Sequence, residues 1–112
     1  MREARLQWVG MNSQAILRAL AEPRRQQVLR LVREEPHSVG EIAAHFEVTQ
    51  QAISQHLQVL RDAGLVTVTK QGSRHLYVVR PDGLEALHEF LAELWPSALM
   101  RLKAAVEADD DG

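Results

Sequence analysis

Residues 38–66 read SVGEIAAHFEVTQQAISQHLQVLRDAGLV, and this stretch decides the fold. Ser38 followed by Glu41 has the form of a capping box, in which the hydroxyl accepts from the third helical N–H and the carboxylate reaches back to the cap residue. Val39, Ile42, Ala43 and Phe46 follow at helical spacing, which predicts a first short helix. Glu47 and Val48 form the connection, and Thr49 is the N-cap of a second helix whose inner stripe is Ile53, His56, Leu57 and Leu60. Gly64 ends that helix, since glycine enters the left-handed conformation without steric cost. The opposite face carries Gln50, Gln51, Ser54, Gln55 and Gln58, which have no packing task. Amides and hydroxyls form hydrogen bonds with base edges, so the pair reads as a helix-turn-helix with its reading helix second. A solvated helix in a small bundle is the alternative, and the pattern alone does not separate the two.

The residues after Gly64 favour the first reading. Leu65–Thr69 alternates apolar and polar, Lys70–Arg74 is KQGSR, and His75–Val79 is apolar and rich in β-formers, the pattern of a two-stranded hairpin with glycine in its turn. A helix-turn-helix followed at once by a hairpin with a basic tip is a winged helix. The predicted fold class is therefore mainly α with a small β-hairpin, about five helices plus a two-stranded wing.

On these pieces residues 15–95 resemble the ArsR family of winged-helix transcriptional repressors. The resemblance is carried by Ala19-Leu20-Ala21-Glu22-Pro23-Arg24-Arg25 leading into Val28-Leu29, by Ser54-Gln55-His56-Leu57, by Leu60-Arg61-Asp62-Ala63-Gly64-Leu65-Val66, and by the wing Gly72-Ser73-Arg74 with Tyr77. It implies a homodimeric repressor that releases its operator on a signal, with the first and last helices forming the dimer interface. Two metal sites known in the family have no counterpart here. Where some members place a cysteine pair, this chain has Ala43 and His45; where others have Asp-x-His, Asp82 is followed by Gly83 and Leu84. Gln55 and Gln58 stand where many members carry Arg or Lys, which implies weaker phosphate contact.

Length and charge agree with a single nucleic-acid-binding domain. A chain of 112 residues suits one core and not two. The whole sequence is read as one domain, with a DNA-binding core over 12–80 and a C-terminal dimerisation element over 82–107. The net charge of −2 is unevenly spread: residues 1–48 carry 7 basic and 6 acidic groups, residues 49–80 carry 4 and 1, and residues 81–112 carry 2 and 8. The reading helix and wing are thus locally basic, and it is the local field that a phosphate meets. No Cys is present, which excludes disulfides and thiolate metal sites. Without 18 consecutive apolar residues, the expectation is a cytoplasmic protein with no membrane contact.

Outside the central stretch the chain supplies flanking helices. Residues 1–11 contain Leu6, Trp8, Val9 and Met11 without a clear period. Asn12 or Ser13 caps a helix through Leu20, with Ile16, Leu17 and Leu20 facing inward. Pro23 suits the first turn of the next helix, and Glu35-Pro36 closes it beyond Val28, Leu29 and Val32. Arg24, Arg25 and Arg30 read as solvated charges, with a phosphate contact from Arg24 or Arg25 as the alternative. Pro81-Asp82-Gly83 starts a C-terminal helix whose stripe runs through Leu87, Phe90, Leu91, Leu94, Trp95, Ala98, Leu99, Leu102 and Val106, with Pro96 kinking or splitting it. That stripe exceeds what one small domain buries, so it needs a partner or folds back on its own core.

Catalysis has little support. The histidines at 37, 45, 56, 75 and 88 form no HxxxH or HExxH pair, and Ser54 and His56 point to different faces of one helix. His56 reads as a satisfied core histidine. A metal site would have to be built from His88 and Glu85 of two subunits, against a solvated charged face as the plainer reading. The expected partners are double-stranded DNA and a second copy of the chain, with no cofactor, no bound metal and no enzymatic activity. DNA contact is assigned to Thr49, Gln50, Gln51, Ser54, Gln55, Gln58, Lys70, Ser73 and Arg74, and the dimer interface to Leu17, Leu87, Leu91, Leu94, Trp95, Leu99 and Leu102. Two alternatives are a winged helix that binds protein, and a sensor of the same fold responding to a metal or small molecule. The basic wing, with no acid between residues 63 and 81, speaks against the first.

Overall fold

The computed structural model describes residues 13–94 and 98–110, without the side chains of residues 98, 99, 109 and 110. The expectations for residues 1–11, Asn12, Trp95, Pro96 and the side chain of Leu99 lie outside the described residues. In chain order the elements are α1 (residues 13–20), α2 (Pro23–Glu34), α3 (Val39–Ala44), α4 (Gln50–Asp62), β1 (Val66–Gln71), β2 (Arg74–Val79), α5 (Pro81–Leu94) and α6 (Ala98–Asp110). The described residues therefore hold six helices where the sequence suggested about five, because separate helices stand on either side of Pro96.

The core is the meeting of helical stripes. Ile16 and Ala19 of α1, Val28 and Val32 of α2, Ile42 of α3, and Ile53, Leu57 and Leu60 of α4 close around one apolar centre, with Leu65, Val66 and Ala86 completing it. The i, i+4 pair Val28 and Val32 and the i, i+4, i+7 set on α4 are the periods by which each helix offers one stripe. Ser13 is already helical and buried, so it is not the N-cap of α1.

The junction of α1 and α2 corrects the reading of Arg25. A helix leaves its last carbonyls without internal partners. Arg25 donates through Nε to the Ala19 carbonyl at 2.7 Å and through Nη2 to the Arg18 carbonyl at 3.2 Å, while Gln26 Nε2 reaches the Leu20 carbonyl at 2.5 Å. Arg25 is thus a cap for the preceding helix and not a solvated charge. Arg24 is not free either: its guanidinium stands 4.9 Å from the centre of the Phe46 ring, a cation–π contact.

Helix α3 is shorter than its apolar spacing suggested. His45 N–H turns back to the Ile42 carbonyl and Phe46 N–H to that of Ala43, three-residue steps that tighten the chain after Ala44. Phe46 therefore packs from the turn and not from the helix.

The hairpin is tighter than expected. Its register runs from Val66 opposite Val79 to Gln71 opposite Arg74, leaving only Gly72-Ser73 as the loop. Gly72 has φ 65°, the positive value that the first position of a type II′ turn demands. Lys70 and Arg74 are consequently strand residues beside the tip. A bridge between His37 and Tyr77, with N–H···O distances of 3.2 and 2.7 Å in the two directions, ties the α2–α3 connection to β2.

Helix α5 starts at a backbone contact. Gly83 is buried, and a Cβ placed there would fall 2.2 Å from the Gly64 carbonyl oxygen. Its role is to let α5 rest directly on the end of α4. Leu84, Leu87 and Phe90 then lean on the core, so Leu87 is partly used by its own domain, whereas Leu91 is 41% and Leu94 59% exposed.

Candidate nucleic-acid interface

Two local devices set the direction of the reading helix. Ser38 and Glu41 form both bonds of the capping box, Ser38 N–H to Glu41 Oε1 at 2.9 Å and Glu41 N–H to Ser38 Oγ at 3.2 Å. Thr49 Oγ1 accepts from Ala52 N–H at 3.1 Å and starts α4. At the other end Gly64, at φ 77°, closes a Schellman motif: Leu65 N–H bonds the Leu60 carbonyl and Gly64 N–H that of Arg61, both at 2.9 Å. With Ile53, Leu57 and Leu60 fully buried, the rotation of α4 is determined and its polar face must look outward.

That face is not uniform. Gln51, Ser54 and Gln55 are exposed and have no hydrogen-bond partner among the described residues. Gln58 is exposed but donates to Asp62 Oδ1 at 2.8 Å, one turn on. Gln50 lies along the first turn of α3, its Nε2 3.1 Å from where a Cβ on Gly40 would be. Thr49 is engaged as a cap, though its hydroxyl hydrogen is free to donate. Of the five α4 residues and the Thr49 cap assigned to DNA contact, three are thus uncommitted among the described residues, and they lie on adjoining turns of one face.

The wing splits in the same way. Lys70 is exposed and makes no ion pair among the described residues, and Ser73 is exposed in the turn. Arg74 is instead bound through Nη2 to Glu41 Oε1 across the gap between wing and α3, with side chains 55% and 46% exposed. The Ser38 backbone N–H, then its hydroxyl, and then Arg74 hold the Glu41 carboxyl below its ordinary value, so it is ionised at neutral pH. Sequence reasoning did not find this pair, because nothing local links residues 33 positions apart.

His56 is half-buried, with Arg25 Nη1 3.4 Å from its Nδ1. Burial, then the Arg25 charge, lowers its pKa, so the ring is neutral and Nδ1 is the accepting nitrogen. It is a structural histidine that joins α4 to the α1–α2 cap. On α5, His88 is exposed, and no group of three metal-binding side chains comes together among the described residues. No described helix is long and apolar enough to cross a membrane.

A short helix leading into a second helix with a free amide face, flanked by a hairpin with a basic tip, defines the winged helix-turn-helix class of transcriptional regulators. The comparisons with known proteins agree. The profile described as "Bacterial regulatory protein, arsR family" matches residues 22–68. A helix-turn-helix transcriptional regulator of Mycobacterium tuberculosis is 36% identical over 93 residues, covering 83% of this chain and 87% of that protein. Among solved structures, a possible transcriptional regulator for arsenical resistance is 40% identical with a TM-score of 0.67, over 80% of this chain and 94% of that one. The homodimeric winged helix-turn-helix DNA-binding domain of a possible ArsR-family regulator of Mycobacterium bovis is 29% identical with a TM-score of 0.63, over 82% and 85% of the two chains. The chain belongs to the ArsR family and is a winged helix-turn-helix transcriptional regulator.

Proposed function

We propose that the protein is a homodimeric repressor of a palindromic operator. Helix α4 enters the major groove with Gln51, Ser54 and Gln55 on base edges; Thr49, Gln50 and Gln58 lie at the margins of that contact. Lys70, Ser73 and Arg74 meet the sugar–phosphate backbone. The observation that carries this is the set of three uncommitted hydrogen-bonding side chains on the exposed face of a helix whose other face is fully buried. Such a face offers donors and acceptors at the spacing of base edges and has no use inside the monomer.

The second copy is supported by a different surface. Leu17, Leu91, Leu94 and Leu102 are all exposed large apolar side chains, and the solved Mycobacterium bovis relative is described as homodimeric. Two-fold symmetry in the protein requires two-fold symmetry in the site, with half-sites about one helical turn apart. Repression follows from occupancy of the operator. Its release is assigned to a small molecule, a partner protein or the protein's own concentration, and not to a metal ion.

The test is selection of bound DNA from random oligonucleotides by the full chain at two salt concentrations. A palindromic consensus that sharpens at the higher salt is expected, because the non-specific phosphate contribution weakens there. A pool that stays random, or a single half-site held tightly by a monomer, contradicts the reading.

A further inference from the structure

The Arg74–Glu41 pair stands at the meeting point of three elements. Glu41 is in the first turn of α3, Arg74 is at the start of β2, and Gln50 of α4 lies against Gly40 next to Glu41. The anion of the pair is the fixed member, because Oε1 also accepts the Ser38 N–H of the capping box. The cation is on a long side chain and remains half exposed, so a phosphate is able to reach it. An exposed ion pair is weak, whereas duplex DNA presents a dense line of charge.

We propose that Glu41 is a positioning residue for DNA binding: it holds Arg74 against α3 in the free protein and yields it to a backbone phosphate in the complex, thereby setting the affinity of the wing. This rests on the reading of Lys70–Arg74 as a backbone-contacting wing. It gives the two wing cations different roles. Lys70 meets phosphate without giving up a partner, while Arg74 exchanges one anion for another. Glu41 keeps its bond to Ser38 after the exchange and leaves a negative charge beside the DNA, which opposes binding to any sequence.

The experiment compares the full wild-type chain with Glu41→Gln, Arg74→Ala and the double variant, each titrated with the selected operator and with an unrelated duplex over a range of salt. Glutamine at 41 retains the capping-box bond, so α3 is preserved, and thermal melting checks this. Glu41→Gln is expected to tighten binding to both duplexes by about two- to fivefold, the scale of an exposed ion pair, with an unchanged salt slope. Arg74→Ala lowers that slope by about 0.9, one phosphate contact. The gain from Glu41→Gln shrinks when Arg74 is absent. An equal gain in both backgrounds overturns the inference, as does a steeper slope in Glu41→Gln with none lost in Arg74→Ala, which means that the pair stays closed on DNA. Wild-type affinity and slope in Arg74→Ala show instead that the wing reading itself is wrong.

Discussion

Helices α4 and α5 have 13 and 14 residues and are both amphipathic, yet they leave opposite kinds of surface behind. Helix α4 buries Ile53, Leu57 and Leu60, and what remains outside is mostly amide and hydroxyl in its first half, with Val59 and the charged Arg61 and Asp62 toward its end. Helix α5 buries Gly83 and Ala86 near its start, after which Leu91 and Leu94 run out into the open. An unpaired polar face is tolerated in water and becomes useful against hydrogen-bonding edges. An unpaired apolar face is stabilised by removal from water, so it calls for another protein surface.

The largest effect is expected from the apolar half of this contrast. Leu91→Asp places a charge in the proposed interface, at about 3–5 kcal/mol if it is buried unpaired. Sedimentation should show a monomer, and operator binding should be lost although α4 is intact. A dimer that still binds would mean that α5 serves only its own core. Gly83→Ala tests the other end of the same helix. With a carbonyl oxygen 2.2 Å from the new methyl, α5 must lift from α4, a strain of about 1–3 kcal/mol or more, visible as a lower melting temperature.

On α4, Gln51→Ala and Gln55→Ala should each weaken the preferred site by about 1–3 kcal/mol and relax base preference at one position, without changing the melting temperature. Equal weakening on all sequences would move these residues from reading to backbone contact. The smallest effect is expected from metal ions. Zinc, nickel, cadmium and arsenite titrated into the protein–operator complex should leave it intact, because the chain has no thiolate and no group of three metal-binding side chains comes together among the described residues. Stoichiometric release that disappears in His88→Ala would reverse that assignment.

What was legible in the sequence was the part governed by near neighbours. The Ser38–Glu41 box, the Thr49 cap and the Gly64 terminus all act over three to five residues, and each stands where its residue type demands. The stripe on α4 followed from its period. What escaped were bonds between residues remote in sequence: Arg25 with His56, 31 positions away, and Arg74 with Glu41. An arginine looks the same in sequence whether it is solvated, caps a neighbouring helix or is held by a carboxylate. Tertiary packing decides among these. The candidate site was therefore found as a list of side chains, while the division between free and committed members needed the fold.

The contact of Gly83 with Gly64 gives the molecule the character of a calliper. The nearest atoms at this joint are main-chain ones, so the start of α5 and the C-terminal end of the proposed reading helix meet backbone to backbone. In the proposed dimer the span between the two reading helices then passes through this main-chain contact. One base pair added between half-sites turns one of them by roughly a tenth of a helical turn, and a stiff calliper has little slack to follow it.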